Sequence, residues 1–98
     1  MKIPKEFNLM GQTIKVEMQD NIAQTEGATG VYYPSLQKIL IQKSNSGNLY
    51  STKQIEQAFV HELIHSCLDI LGYKKLYKNE SFVDRLAHLI YQALESFK

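Results

Sequence analysis

The hydrophobic pattern changes period near residue 51, and that change restricts the chain to a mixed architecture. Before it, "QTIKVEM" (12–18) alternates, with Ile14, Val16 and Met18 on one face, as a half-buried strand does. "ATGVYYP" and "KILIQ" are rich in β-branched and aromatic residues and flank Pro34 and Ser35, which reads as an antiparallel hairpin. "KSNSGNLYS" (43–51) has the chemistry of a loop. From there the spacing is helical. Ser51 and Gln54 fit a capping box, and Tyr50 and Ile55 stand where a hydrophobic staple forms. The first helix is predicted over 52–71, with Gly72 at the left-handed closing position. A second helix is predicted from Asn79, a good N-cap, nearly to Phe97. Its apolar residues Phe82, Val83, Leu86, Leu89, Ile90, Ala93 and Leu94 form one broad face, which reads as core packing.

The fold class expected is therefore α+β. A small antiparallel N-terminal sheet of about three strands would pack on two C-terminal helices. With 98 residues the expectation is a single domain over 1–98. A core that small has little burial to spare, and a metal bound only by the folded chain would stabilise it.

Charge and cysteine content narrow the setting. A net charge of +1 with scattered lysines argues against a nucleic-acid footprint. Lys74, Lys75 and Lys78 read as a solvated loop. Cys67 is the single cysteine, so no intrachain disulfide is expected. No stretch reaches the roughly 18 apolar residues of a membrane span, and "MKIPKEFNLMGQ" lacks a signal-peptide core. The expectation is a reduced, cytoplasmic, soluble protein.

Within the first predicted helix, "FVHELIHSCLDILGY" (59–73) contains HExxH. His61 and His65 are four apart, so they stack one turn apart on one face and can bind one Zn²⁺. Glu62 is rotated by about 100° from His61, so it flanks such a metal and can move a proton from a zinc-bound water to a leaving amine. The segment around the motif is strongly apolar (Phe59, Val60, Leu63, Ile64), where polar side chains need partners.

A catalytic zinc usually has three protein ligands. A third histidine six residues after His65 is absent, since Leu71 stands there. Cys67 lies about 200° round the helix from His65 and reads as a small buried hydrophobe. Asp69 shares the face of His65, but three ligands on one straight helix close a tetrahedron poorly. Glu80 is the better candidate, because two antiparallel helices joined by the loop 72–78 would bring it to the motif. Asp84, one turn on, is placed to support a ring nitrogen of His61. Both acids also suit a helix N-terminus in their own right.

"HELIH" followed by "NESFVDRLA" resembles the gluzincin pattern, HExxH with a later NExxxD, and "ESFVDRLAHLI" resembles the second-helix segment of ImmA/IrrE-type metallopeptidases. The likeness covers about residues 55 to 94. It implies a minimal zincin-like fold, of the kind found in small phage and prophage proteins, with Glu80 as third zinc ligand and Asp84 supporting a ligand histidine. It also implies a bacterial host cytoplasm if the chain is phage-derived. Gluzincins usually add a His or Tyr that stabilises the oxyanion, from beyond the third ligand. The chain ends at Lys98, leaving little room for such a subdomain, so the candidates are His88, Tyr91, Tyr73, Tyr77 and Tyr33. His88 lies about 80° from Glu80 around the helix.

Two functions follow, ahead of a third in which a metal-free two-helix interaction module carries the histidines as core polar groups. One is a minimal zinc metallopeptidase, a hydrolase in which Glu62 activates a zinc-bound water and an extended peptide or protein substrate adds to the edge of the sheet at "GVYYP" or "KILIQ". The alternative is a zinc-binding regulatory or interaction module without turnover. Neither calls for nucleic acid or membrane, and the oligomeric state is left open.

Overall fold

A computed structural model describes residues 1–20, 29–45 and 47–97. It is α+β, with strands first and helices after. Among the described residues the strands are β1 (Glu6–Leu9), β2 (Gln12–Gln19), β3 (Gly30–Tyr33), β4 (Lys38–Gln42), β5 (Ser44–Asn45) and β6 (Asn48–Leu49). The helices are α1 (Thr52–Leu71), α2 (Lys74–Lys78) and α3 (Glu80–Ser96). None of the described helices is long and apolar enough to cross a membrane.

The sheet is mixed rather than wholly antiparallel, and it has four strands in the order β1-β2-β4-β3. β2 and β4 run parallel, with Val16 opposite Ile39 and Met18 opposite Ile41. The extra strand, β1, pairs with β2 through a two-residue turn at Met10 and Gly11, both with positive φ (48° and 81°). Such turns match the right-handed twist of the strands they join, but they normally carry Asn or Asp before the glycine. β3 and β4 form the expected antiparallel hairpin around a 3₁₀ turn at Pro34–Leu36. Ala28, included in the hairpin segment above, lies outside the described residues.

β4 is central because of its own sequence. Ile39, Leu40, Ile41 and Gln42 are all buried, so both faces of the strand are covered. A nearly continuous apolar run suits a position with a neighbour on each side. The outer strands of this sheet are β1 and β3, of which β3 packs more closely on α1, and "KILIQ" offers no free edge. The loop expected over 43–51 contains the small β5–β6 ladder.

Helix α1 has the expected bounds. The Ser51 hydroxyl accepts from the Gln54 N–H at 3.1 Å, while the Gln54 carboxamide oxygen accepts from the Ser51 N–H at 2.9 Å. At its other end Gly72 (φ 81°) donates to the Asp69 carbonyl and Tyr73 to the Leu68 carbonyl, each at 3.0 Å, which is a Schellman closure. The segment 72–78 is not a plain loop, since it contains the single turn and a half of α2. Asn79 caps α3, its side-chain oxygen accepting from the Phe82 N–H at 3.0 Å.

α1 packs on β3 and β4, and α3 packs on α1. The core joins Ile14, Ile39 and Ile41 of the sheet to Phe59, Val60 and Ile64 of α1 and to Val83, Ala87 and Tyr91 of α3. This corrects the broad core face expected for α3. Of its seven residues only Val83 is fully enclosed, while Leu89 is 65% and Leu94 39% exposed. The helix turns the row Val83, Ala87, Tyr91 inward, which brings Glu80, at the head of that row, over α1.

Candidate metal centre

His61, His65 and Glu80 meet in space. Among the described residues they are the one group of potential ligands whose donor atoms all lie within 4.8 Å of one another. α1 contributes the two imidazoles, with ring centroids 5.0 Å apart. The Asn79 cap starts α3 so that its first residue, Glu80, faces them. One carboxylate oxygen is 3.1 Å from His61 Nε2 and the other is 3.0 Å from His65 Nε2. Glu80 is otherwise open to solvent, 67% exposed, whereas the His65 side chain is 9% exposed.

A carboxylate only accepts hydrogen bonds, so each Nε2 must hold a proton in this arrangement. That has a cost at His65. Burial pushes its pKa below the ordinary value, favouring the neutral ring. With the proton on Nε2, the buried Nδ1 is left without a hydrogen bond among the described residues. An unmet buried acceptor costs about 1–3 kcal/mol. A cation on the Nε2 atoms would send the proton to Nδ1, beside the Tyr77 backbone, whose interaction favours a proton on this ring. The donor set and this orphaned atom both fit a bound divalent metal.

Glu62 sits next to the group, 7% exposed. Its pKa is pushed up to about 8, first by burial and then by the charge of Glu80, against a Tyr32 backbone N–H that faces the carboxylate and lowers it. Such a value suits a group that must take and return a proton near neutrality. Asp84 Oδ1 lies 3.6 Å from His61 Nδ1, an ion-pair separation longer than a hydrogen bond. The same oxygen is 3.9 Å from His88 Nε2.

These residues line a cleft of about 770 Å³ between β3, α1, α2 and α3. The candidate oxyanion donors divide around it. Tyr77 and His88 line the cleft. The Tyr77 ring stands edge-on to His65 at 4.9 Å. Tyr33 and Tyr73 are exposed outside it. Tyr91 is buried with its hydroxyl 2.7 Å from Glu56 and 3.1 Å from Glu95, and it takes no part in the cleft. Asp69 accepts from the Tyr32 hydroxyl at 2.8 Å and is outside the ligand group. Cys67 is half-buried, and burial raises its thiol pKa, so it stays protonated.

Two contributors had no signal in the sequence pattern. Tyr32 supplies the N–H on Glu62. Gly30 makes room for it: a Cβ built there would sit 3.1 Å from Glu62 Cγ, 3.2 Å from Ile41 Cδ1 and 3.3 Å from the Leu40 carbonyl. Gly30→Ala is therefore expected to destabilise the fold by about 1–3 kcal/mol through overpacking. Urea denaturation checks this, and an unchanged midpoint would show that Glu62 can move aside.

No protein-family model matches the chain, and no curated protein or solved structure matches it either.

Proposed function

We propose that the chain is a minimal zinc-dependent peptidase. The observation that carries this reading is the convergence of His61, His65 and Glu80 from two helices beside the buried carboxyl of Glu62. Two imidazoles and a carboxylate make a donor set suited to zinc, and the resemblance of HELIH and NESFVD to gluzincins points the same way. When bound by these residues, the ion would polarise a water molecule and a substrate carbonyl.

The remaining chemistry belongs to the chain. Glu62 takes a proton from the attacking water and gives it to the departing amine. The low polarity around it keeps proton affinity near the midpoint needed for both transfers. Asp84, 3.6 Å from His61 Nδ1, is placed to support the ring from that side. On the opposite wall β3 is an outer strand. Its register, with Thr29 accepting from the Gln42 N–H, turns the backbone groups of Gly30 and the carbonyl of Tyr32 away from β4, while the Tyr32 N–H faces Glu62. An extended peptide can add there, and its scissile bond then lies over α1. Of the candidate oxyanion donors, His88 and Tyr77 are the two that line the cleft.

A zinc-binding module without turnover is the second reading. It is favoured by the phenols: the Tyr91 and Tyr32 hydroxyls are committed to Glu56 and Asp69.

Metal analysis and a peptide library separate the two. Purified, metal-replete protein is expected to carry one zinc per chain and to cleave a subset of peptides. Glu62→Gln is expected to keep the zinc and lose the cleavage. If zinc is retained and both proteins leave every peptide intact, the second reading stands. A zinc content near zero removes both.

A further inference from the structure

We infer that Tyr32 and Asp69 form a positioning pair for Glu62, tying the open edge of the sheet to the helix that carries the ligands. The inference rests on Glu62 being the base of the proposed peptidase, and it identifies what holds that base in place.

Tyr32 is engaged at three points. Its backbone N–H faces away from β4, towards the Glu62 carboxylate, whose charged form it favours. Its hydroxyl donates to Asp69 Oδ2 at 2.8 Å, two turns further along the same helix. Its ring, 6% exposed as a residue, meets the Tyr77 ring at 6.4 Å, and Tyr77 in turn meets His65 at 4.9 Å. A hydrogen bond at Asp69 and a close approach at Glu62, two turns apart along α1, therefore join the strand and the helix. Either alone would allow β3 to pivot, because an outer strand is paired on only one side. With both in place the distance between β3 and α1 is set, and Glu62 is held between Gly30, which lacks a Cβ, and the Tyr32 N–H. Asp69 shares the face of His65 because it is four residues on, yet its work is on the strand rather than on a metal.

Amide hydrogen exchange of the full chain tests the tie without metal or substrate. The Tyr32 amide is expected to be protected although it belongs to an open edge. Tyr32→Phe keeps the ring and removes the hydroxyl, and Asp69→Ala removes the acceptor. Each should speed exchange at residue 32 by about tenfold or more relative to the Ile39 and Ile41 amides, as loss of a bond to a charged group does. The side-chain carboxyl ¹³C signal of Glu62 should shift in both variants, and that of Glu80 should stay. Asp69→Asn retains an acceptor and should restore both readouts. Exchange at residue 32 unchanged in Tyr32→Phe and Asp69→Ala would overturn the proposal. Uniform acceleration across the chain would also overturn it, because the pair would then serve stability alone. Zinc content is measured separately, so failure of the tie and failure of the metal reading are told apart.

Discussion

Glu80→Ala is expected to weaken zinc binding by more than about 100-fold, the upper end of what loss of an outer-sphere partner costs. The reason is geometric. α1 supplies two donors one turn apart, and closure of the site depends on a third donor from another element. Glu80 is the group that reaches both Nε2 atoms, at 3.1 and 3.0 Å. Its side chain is 67% exposed, so truncation removes little packing. The metal-free variant should melt within a few degrees of wild type. Adding zinc should then raise the melting temperature of wild type, by linkage, and do far less for the variant. Competition against a chromophoric chelator measures the affinity. Two further substitutions sharpen the result. Asp84→Ala should weaken binding by about tenfold, because it touches only the far nitrogen of His61. Asp69→Ala should leave the affinity unchanged, because that carboxylate is held by Tyr32. Equal affinity in wild type and Glu80→Ala would remove Glu80 from the site.

The parts of this site that were legible in the sequence are those written in local chemistry. His61 and His65 meet because four residues make just over a turn. Glu80 faces them because Asn79 caps the helix one residue earlier. Ser51 with Gln54, and Gly72, bound α1 for the same reason: their hydrogen bonds close within a few residues. The misreadings concern partners distant along the chain. β1 has no signature in the sequence, because its turn carries Met10 in a left-handed conformation, which no turn propensity favours. The parallel pairing of β2 with β4 has no local signature at all. The buried "KILIQ" run contained a hint of a central strand, but an apolar run alone does not say what lies on either side of it. Tyr91 reads as a cleft candidate until the rotation of α3 is known, and that rotation turns it onto Glu56 instead. Leu89 and Leu94 failed as core residues for the same cause. A helix with apolar residues over more than half its circumference does not declare which of them face inward.

Metal-free Glu62→Gln is expected to be more stable than metal-free wild type at pH 8, by an amount on the order of a few kcal/mol at ~1.4 kcal/mol per pKa unit. Burial, and then the charge of Glu80, push the Glu62 carboxyl from 4.5 up to about 8. Between those two values the folded chain keeps a proton that the unfolded chain has released. The folded state binds more protons there, so its stability falls as pH rises through the window. Above about pH 8 the full penalty of a buried carboxylate is present. Glutamine has nearly the same shape and still offers an oxygen to the Tyr32 N–H, but it never ionises. At pH 5 the two proteins should be close in stability, and the gap should open towards pH 8. His65 works in the opposite sense, since burial lowers its pKa and its contribution is lost as pH falls through the region near 6.5. It is present in both proteins, so the difference between them isolates Glu62. Urea denaturation in chelator at the two pH values is the measurement. A gap of the same size at both would show that ionisation is not its source. Zinc should narrow the gap at pH 8, because a nearby cation favours the charged carboxylate. The same burial that weakens the metal-free fold is what gives Glu62 a proton affinity useful near neutral pH.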